Sequence, residues 1–111
     1  MQSNHGRPQI TEFALEQLIR ERRITETIGP DKELVISIGS GDSAQFNRID
    51  EPNQCGLIPF VGFYTRSEAL HFDVSVVNGT EIIFLFKEDD KEIIADFTID
   101  YIDSKFCFVE K

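Results

Sequence analysis

Carboxylates are the residues whose number and spacing most clearly suggest chemistry in this chain. Residues 67–111 contain eleven acids against four lysines, so they carry −7 of the net charge of −9. The acids that could act together are Asp73, Glu88, Asp89, Asp90, Glu92, Asp96, Asp100 and Asp103. A dense acidic face attracts positively charged molecules and speeds their encounter. The pattern predicts recognition of a basic partner; the alternative is a solvated face that keeps the protein soluble.

Groups suited to nucleophilic catalysis are few. His71 is the only histidine beyond the N-terminal His5, so a serine or cysteine nucleophile would depend on it alone. The segment GSGDS, residues 39–43, lacks both the lysine of a phosphate-binding loop and the GxSxG pattern of a nucleophile elbow. The sequence therefore predicts that the protein is not an enzyme.

Metal and cofactor sites are not predicted either. The segment KEDDKE, residues 87–92, lacks the alternating ligands and the glycine of a calcium loop. Cys55 and Cys107 are far apart and form no CxxC motif. Such spacing is typical of two thiols in a reducing compartment, and a disulfide between them is the alternative.

The composition limits the classes of protein that are possible. A chain of 111 residues with 41% hydrophobic residues, ten of them Phe, predicts one domain with a packed core. No apolar run reaches the ~18 residues that span a bilayer, and residues 1–9 lack a secretory segment. The negative charge argues against direct binding of nucleic acid, which depends on Lys and Arg. We expect a cytoplasmic protein with a flexible tail over residues 1–9 and a single domain over residues 10–111.

One helix is predicted directly after the tail. In QITEFALEQLIRERRI the apolar residues follow helical spacing, and Thr11 is placed to cap the first turn. Glu12 lies near the start, and three arginines near the predicted end complement the helix dipole. Gly29-Pro30 predicts the end of this region.

From Glu33 onward the pattern changes to the two-residue alternation that is typical of strands. The predicted strands are ELVISI, AQFNRI, LIPFVGFYT, HFDVSVVN, EIIFLFK, EIIADFTIDYI and KFCFVE. GSGDS predicts a turn and DEPNQ, residues 50–54, a loop. Asn78-Gly79 predicts a tight hairpin, and residues 88–90 a looser one. Pro59 and Gly62 predict an edge or bent strand.

The alternation also predicts which side chains face outward. In residues 92–102 the predicted core positions are Ile93, Ala95, Phe97, Ile99 and Tyr101, and the predicted outer positions are Glu92, Ile94, Asp96, Thr98, Asp100 and Ile102. Tyr64, Ile94 and Ile102 are candidate apolar anchors beside the acids, because binding energy concentrates in a few desolvated side chains.

These elements predict an α+β fold in which the N-terminal helix packs on one face of a mostly antiparallel meander of roughly five to seven strands. Strand EIIFLFK is apolar on both faces, so its second face must be covered by the chain itself or by another protein.

In size, acidity and architecture the chain resembles immunity proteins that neutralise toxic nucleases, phage inhibitors of host defence, and secretion chaperones. The order of helix and meander also resembles a cystatin-type arrangement. The resemblance implies a binding protein that shields a basic partner, such as a nuclease toxin or a nucleic-acid-binding protein. The alternative is a homodimeric, secretion-chaperone-like or structural interaction module that uses an apolar sheet face, so both monomer and homodimer stay open.

Overall fold

The computed structural model of the chain describes residues 8–42 and 56–111. The predictions for His5, strand AQFNRI, the loop of residues 50–54 and Cys55 lie outside these residues. Gln9, the last residue of the predicted tail, is the first residue of a strand.

The described residues contain seven strands, three α-helices and a 3-10 turn. In chain order they are β1 (Gln9–Ile10), α1 (Glu12–Ile28), β2 (Leu34–Asp42), β3 (Leu57–Thr65), α2 (Arg66–Ala69), β4 (Ser75–Val77), β5 (Thr80–Leu85), the 3-10 turn (Glu88–Asp90), α3 (Lys91–Ile94), β6 (Phe97–Ile102) and β7 (Lys105–Glu110).

The long helix α1 begins as predicted. The Thr11 side chain accepts a hydrogen bond of 3.1 Å from the Ala14 backbone N–H, which satisfies one of the unpaired donors of the first turn. At the other end, the Gly29 N–H donates to the Thr25 carbonyl oxygen at 2.9 Å. Because α1 continues to Ile28, its arginines lie in its middle and its last turn contains no basic residue. The prediction that arginines complement the dipole at this end is wrong.

The strands form two sheets in the described part of the chain. The four-stranded sheet has the order β3-β2-β5-β4, and the three-stranded sheet has the order β1-β6-β7. Neighbouring strands are antiparallel except for the parallel pairs β2 with β5 and β1 with β6. The α+β class with a long N-terminal helix and mostly antiparallel strands is confirmed. The single meander is not found, because β3, α2 and β4 intervene between β2 and β5 and allow these two strands to pair in parallel.

The prediction of a turn at GSGDS is wrong for the residues that are described. Strand β2 continues through Asp42, and its residues Gly39–Asp42 pair with Leu57–Phe60 of β3. A side chain at Gly41 would collide with the Phe60 ring. The glycine therefore allows the ring to lie close to the strand. Among the described strands β3 lies at the edge of its sheet, which agrees with the first of the two alternatives, an edge or a bent strand, that Pro59 and Gly62 predicted.

Two tight hairpins connect neighbouring strands. Asn78 and Gly79 have φ values of 47° and 83°, and Val77 pairs with Thr80, which confirms the predicted hairpin between β4 and β5. Asp103 and Ser104, with φ values of 54° and 63°, make the corresponding turn between β6 and β7. The looser hairpin predicted at residues 88–90 is wrong, because β5 and β6 belong to different sheets.

The main core joins α1, α3 and both sheets. Its buried side chains are Ala14, Leu15, Leu18, Ile36, Ile38, Ile82, Phe86, Ile94, Ile99, Phe106 and Phe108. A second cluster lies on the other face of the four-stranded sheet, where Ala69 of α2 covers Val35 and Ile83, with Tyr64 packed against them. The second apolar face of β5 is thus covered at Ile83 by a short helix that the sequence analysis missed.

Candidate functional site

The densest group of exposed acids lies between β5 and β6. We call residues 88–92 the acidic turn; it comprises the 3-10 turn and the start of α3. Phe86 before it and Ile94 after it are buried in the main core. These two side chains fix the ends of the segment, and the charged residues between them project toward solvent. The Glu88, Asp89 and Glu92 side chains are exposed, and Asp90 is half-buried.

Two acids of the acidic turn have partners. The Ser40 hydroxyl donates a hydrogen bond of 2.7 Å to Asp90 Oδ2, which joins the turn to the end of β2. Lys91 Nζ lies 2.9 Å from Glu88 Oε2, with the Glu88 side chain exposed and the Lys91 side chain partly exposed. Such an exposed pair contributes little to stability and opens easily.

Asp89 and Glu92 are different. Neither side chain makes a hydrogen bond or an ion pair within the described residues. Their charge is therefore directed to solvent, where a cation from another molecule can reach it.

The apolar anchors next to the turn are not the predicted ones. Residues 91–94 form α3 instead of the start of a strand. Ile94, predicted to face outward, is 0% exposed, whereas Ile93, predicted to be core, is 43% exposed. Helical spacing replaces alternation here, so the anchor role assigned to Ile94 is wrong. Leu85 and Ile93 are the exposed apolar residues that border the acidic turn.

The acids on and around β6 differ in exposure and in hydrogen bonding. Asp96 and Asp103 are exposed and flank the two ends of this six-residue strand, about 23 Å apart at 3.3 Å per residue. Asp100 is half-buried, and its Oδ1 accepts hydrogen bonds of 2.8 Å from the Thr11 hydroxyl and from the Tyr101 N–H. Asp100 therefore ties β6 to the start of α1. Ile102 is half-buried at the end of β6, opposite Lys105.

The two remaining predicted site residues lie near α2. Asp73 is exposed in the connection between α2 and β4. Tyr64 is half-buried at the end of β3, and its ring centroid is 4.9 Å from that of Phe72. Tyr64 covers the second core cluster, so it contributes to packing there.

Other acids of the last third serve the local structure. Hydrogen bonds from the backbone and side chain of Thr65 lower the pKa of Glu68, which completes a capping box at the start of α2. Glu81 pairs with Arg66 at 2.8 Å. The coherent patch predicted from the sequence is thus divided, and the acidic turn is its densest exposed part.

A cavity that the sequence analysis missed lies between α1, β3 and the hairpin of β6 and β7. Its volume is about 300 Å³, and it is lined by Glu21, Pro59, Phe60, Val61, Tyr101, Ser104, Lys105 and Phe106. The ring centroid of Tyr101 is 4.7 Å from that of Phe106 and 5.8 Å from that of Phe13. Phe60 and Phe13 are 41% and 52% exposed, so aromatic surface is accessible at and beside the cavity.

Glu21 is the acid of this cavity. Burial raises the pKa of the Glu21 carboxyl, because its charged form loses hydration. Its side chain forms no ion pair with any described cation. No sequence signal marked Glu21, since the other residues of the lining come from β3 and from the β6–β7 hairpin, which are distant from α1 in the chain.

The structure shows the surroundings of three residues that were considered for catalysis. His71 is exposed after α2, and Ser40 is occupied by its bond to Asp90. Cys107 is buried as a thiol, with its Sγ 3.8 Å from the Asp100 carbonyl oxygen. Among the described residues, no three His, Cys, Asp or Glu side chains are grouped as a metal ion requires. No helix in the same residues is long and apolar enough to cross a membrane.

Comparison with protein-family models, with curated proteins and with solved structures found no match for this chain.

Proposed function

We propose that this protein is a small acidic binding protein that inhibits or shields a basic partner by occluding it, in the manner of immunity proteins or inhibitors of host defence. The observation that supports this most is the acidic turn, where Asp89 and Glu92 have no cation of their own within the described residues. The turn lies in the part of the chain that carries −7 of the net charge of −9.

The physical basis is electrostatic steering followed by burial of a few apolar side chains. An acidic surface raises association rates toward a basic partner to on the order of 10⁸ M⁻¹s⁻¹ at low salt. Leu85 and Ile93, both partly exposed beside the turn, can then be desolvated in the complex. Binding energy concentrates in a few such side chains. The proposed role is non-enzymatic and cytoplasmic, and a nuclease toxin or nucleic-acid-binding protein is the proposed class of partner.

A second candidate function is a homodimeric or chaperone-like interaction module. It is favoured by one observation, the apolar side chains that recur at every second residue after α2. These side chains are Leu70, Phe72, Val74 and Val76, which are exposed to between 36% and 81%. Light scattering over a dilution series distinguishes the candidates, because a dimer that resists dilution supports the module and a monomer supports the proposed inhibitor.

The main test compares two triple variants with equal change of charge. The turn variant carries Glu88→Gln, Asp89→Asn and Glu92→Gln. The control variant carries Glu16→Gln, Asp31→Asn and Glu33→Gln, all exposed residues outside the turn.

Each tagged protein is used to capture proteins from a host lysate at low and high salt. We expect the wild type and the control to retain a basic protein that the turn variant loses. If no basic protein is retained at either salt concentration, the proposed function is wrong.

A further inference from the structure

We propose that the cavity between α1, β3 and the β6–β7 hairpin binds a compact organic cation, that is, an alkylammonium or guanidinium group. The cavity combines a carboxylate with aromatic walls, since Glu21, Phe60, Tyr101 and Phe106 all line it. Aromatic rings and a carboxylate attract a cation together, because the ring faces carry negative electrostatic potential.

The surroundings of the Glu21 carboxyl support the proposal that the cavity binds a cation. Burial raises the pKa of the Glu21 carboxyl, and within the described residues Glu21 forms no ion pair that would offset the loss of hydration. A bound cation would supply that compensation and favour the charged carboxylate. Binding would therefore lower the pKa of Glu21 and release a proton from the fraction of molecules in which Glu21 is protonated.

The size of the cavity suits a small group. Its volume of about 300 Å³ is at the lower end of the range for ligand sites, roughly 300 to 1,000 Å³. One alkylammonium or guanidinium group with a short chain fits within this volume.

Two neighbouring groups affect the charge of the site in opposite directions. Lys105 lines the cavity, and its ammonium group repels a cationic ligand. Asp103 is exposed next to Ser104, which lines the cavity, and adds negative charge near the same place. Tyr101 is the remaining titratable group of the lining, and its hydroxyl is a potential hydrogen-bond partner for the ligand.

The cavity and the acidic turn lie at the same end of the four-stranded sheet. Pro59 of the cavity pairs with Ser40 in the register of β2 and β3, and Ser40 donates to Asp90 of the turn. The cation can therefore come from two sources: a free small molecule, or a lysine or arginine side chain of the partner. Only the second source rests on the proposed function.

The test titrates the whole protein with methylguanidinium and with butylammonium, followed by NMR chemical shifts of the cavity residues. Pentanol serves as an uncharged ligand of similar size. We expect saturable shifts at Glu21, Tyr101 and Ser104 with both cations, and much weaker binding of pentanol. Equal binding of pentanol, or no saturable shift with either cation, would overturn the assignment.

Variants test the role of each lining group. Glu21→Gln should weaken cation binding at least tenfold, whereas Glu16→Gln, on the same helix and exposed, should change it less than twofold. Tyr101→Leu should weaken binding several-fold, and Tyr101→Phe should restore it because the ring remains. A Glu21→Gln variant that binds as well as wild type contradicts the proposal, provided that its NMR spectrum shows the native fold.

The pH dependence of cation binding distinguishes a binding role of Glu21 from a role in packing alone. Cation affinity should fall as the pH falls through the pKa of Glu21 measured by NMR, and saturating cation should lower that pKa. A measured pKa of Glu21 below its ordinary value in the unliganded protein would contradict the proposal, because it would mean that a cation of the chain already compensates Glu21.

A final comparison separates the two sources of the cation. If Glu21→Gln and the turn variant both lose the captured partner, the cavity holds a side chain of that partner. If small cations bind but Glu21→Gln retains the partner, the cavity is a site for free cations. If small cations fail to bind while the turn variant still loses the partner, this inference is wrong and the proposed function stands.

Discussion

At the scale of single residues, the contact between Thr11 and Asp100 has the clearest structural role. The Thr11 hydroxyl accepts a hydrogen bond from Ala14 and donates one to Asp100, so one side chain caps α1 and connects it to β6. The capping role of Thr11 was predictable, because threonine before an apolar helical pattern is a common N-cap. The role of Asp100 was not, since it depends on the parallel pairing of β1 with β6.

Replacing Thr11 by alanine should therefore destabilise the protein. We expect Thr11→Ala to lower the free energy of unfolding by about 1 to 2 kcal/mol, because the cap is lost and Asp100 loses a donor. Urea denaturation followed by circular dichroism measures the change. Thr27→Ala is the matched control, since the Thr27 hydroxyl only donates to the Arg23 carbonyl oxygen at the exposed end of α1. An equal effect of both substitutions would contradict the connecting role of Thr11.

Glu21 should make the stability of the protein depend on pH. Burial raises the pKa of Glu21 in the folded state, so the folded protein holds this proton more tightly than the unfolded chain. The stability of the wild type should then decrease, relative to Glu21→Gln, as the pH rises from the ordinary carboxyl value through the raised one.

The size of this effect is limited by solvent, because Glu21 is only partly buried. Above the raised pKa we expect Glu21→Gln to be more stable by on the order of 0.5 kcal/mol or less. Thermal unfolding at several pH values measures it. A variant that is less stable than wild type at neutral pH would show that the Glu21 carboxylate has a stabilising partner.

At the scale of elements, local patterns predicted strands and tight turns better than they predicted connections. Two-residue alternation identified β5 and β7, and Asn78-Gly79 identified a hairpin. The segment of residues 91–94 was misassigned because two adjacent isoleucines fit a strand and a helix equally well. The pairing of β2 with β5 involves residues far apart in the chain, which local periodicity does not specify.

The adjacent isoleucines of α3 provide a matched test of whether residues 91–94 form a helix or a strand. Ile94 is completely buried in the main core, and Ile93 is 43% exposed. We expect Ile94→Ala to cost about 2 to 5 kcal/mol, because it leaves a cavity. Ile93→Ala should cost less than about 0.5 kcal/mol. Urea denaturation of both variants measures the difference, and the reverse order would mean that residues 91–94 continue the strand.

At the scale of the whole molecule, the charge is uneven and the acids have different roles. The sequence predicted the excess of negative charge in residues 67–111 and the exposure of Glu88, Asp89 and Glu92. It did not predict that Asp90 and Asp100 are held by Ser40 and Thr11, because those donors come from distant elements. The cavity lined by Glu21 likewise exists only after four elements have packed together.

The central claim is that the acidic turn, and not the net charge of −9 alone, directs a basic partner to this protein. The most direct test measures the association rate of the captured partner with the wild type, the turn variant and the control variant at low salt. We predict that the turn variant associates at least about tenfold more slowly while the control stays within about twofold of wild type. Equal slowing in both variants, or no slowing in the turn variant, would contradict the claim.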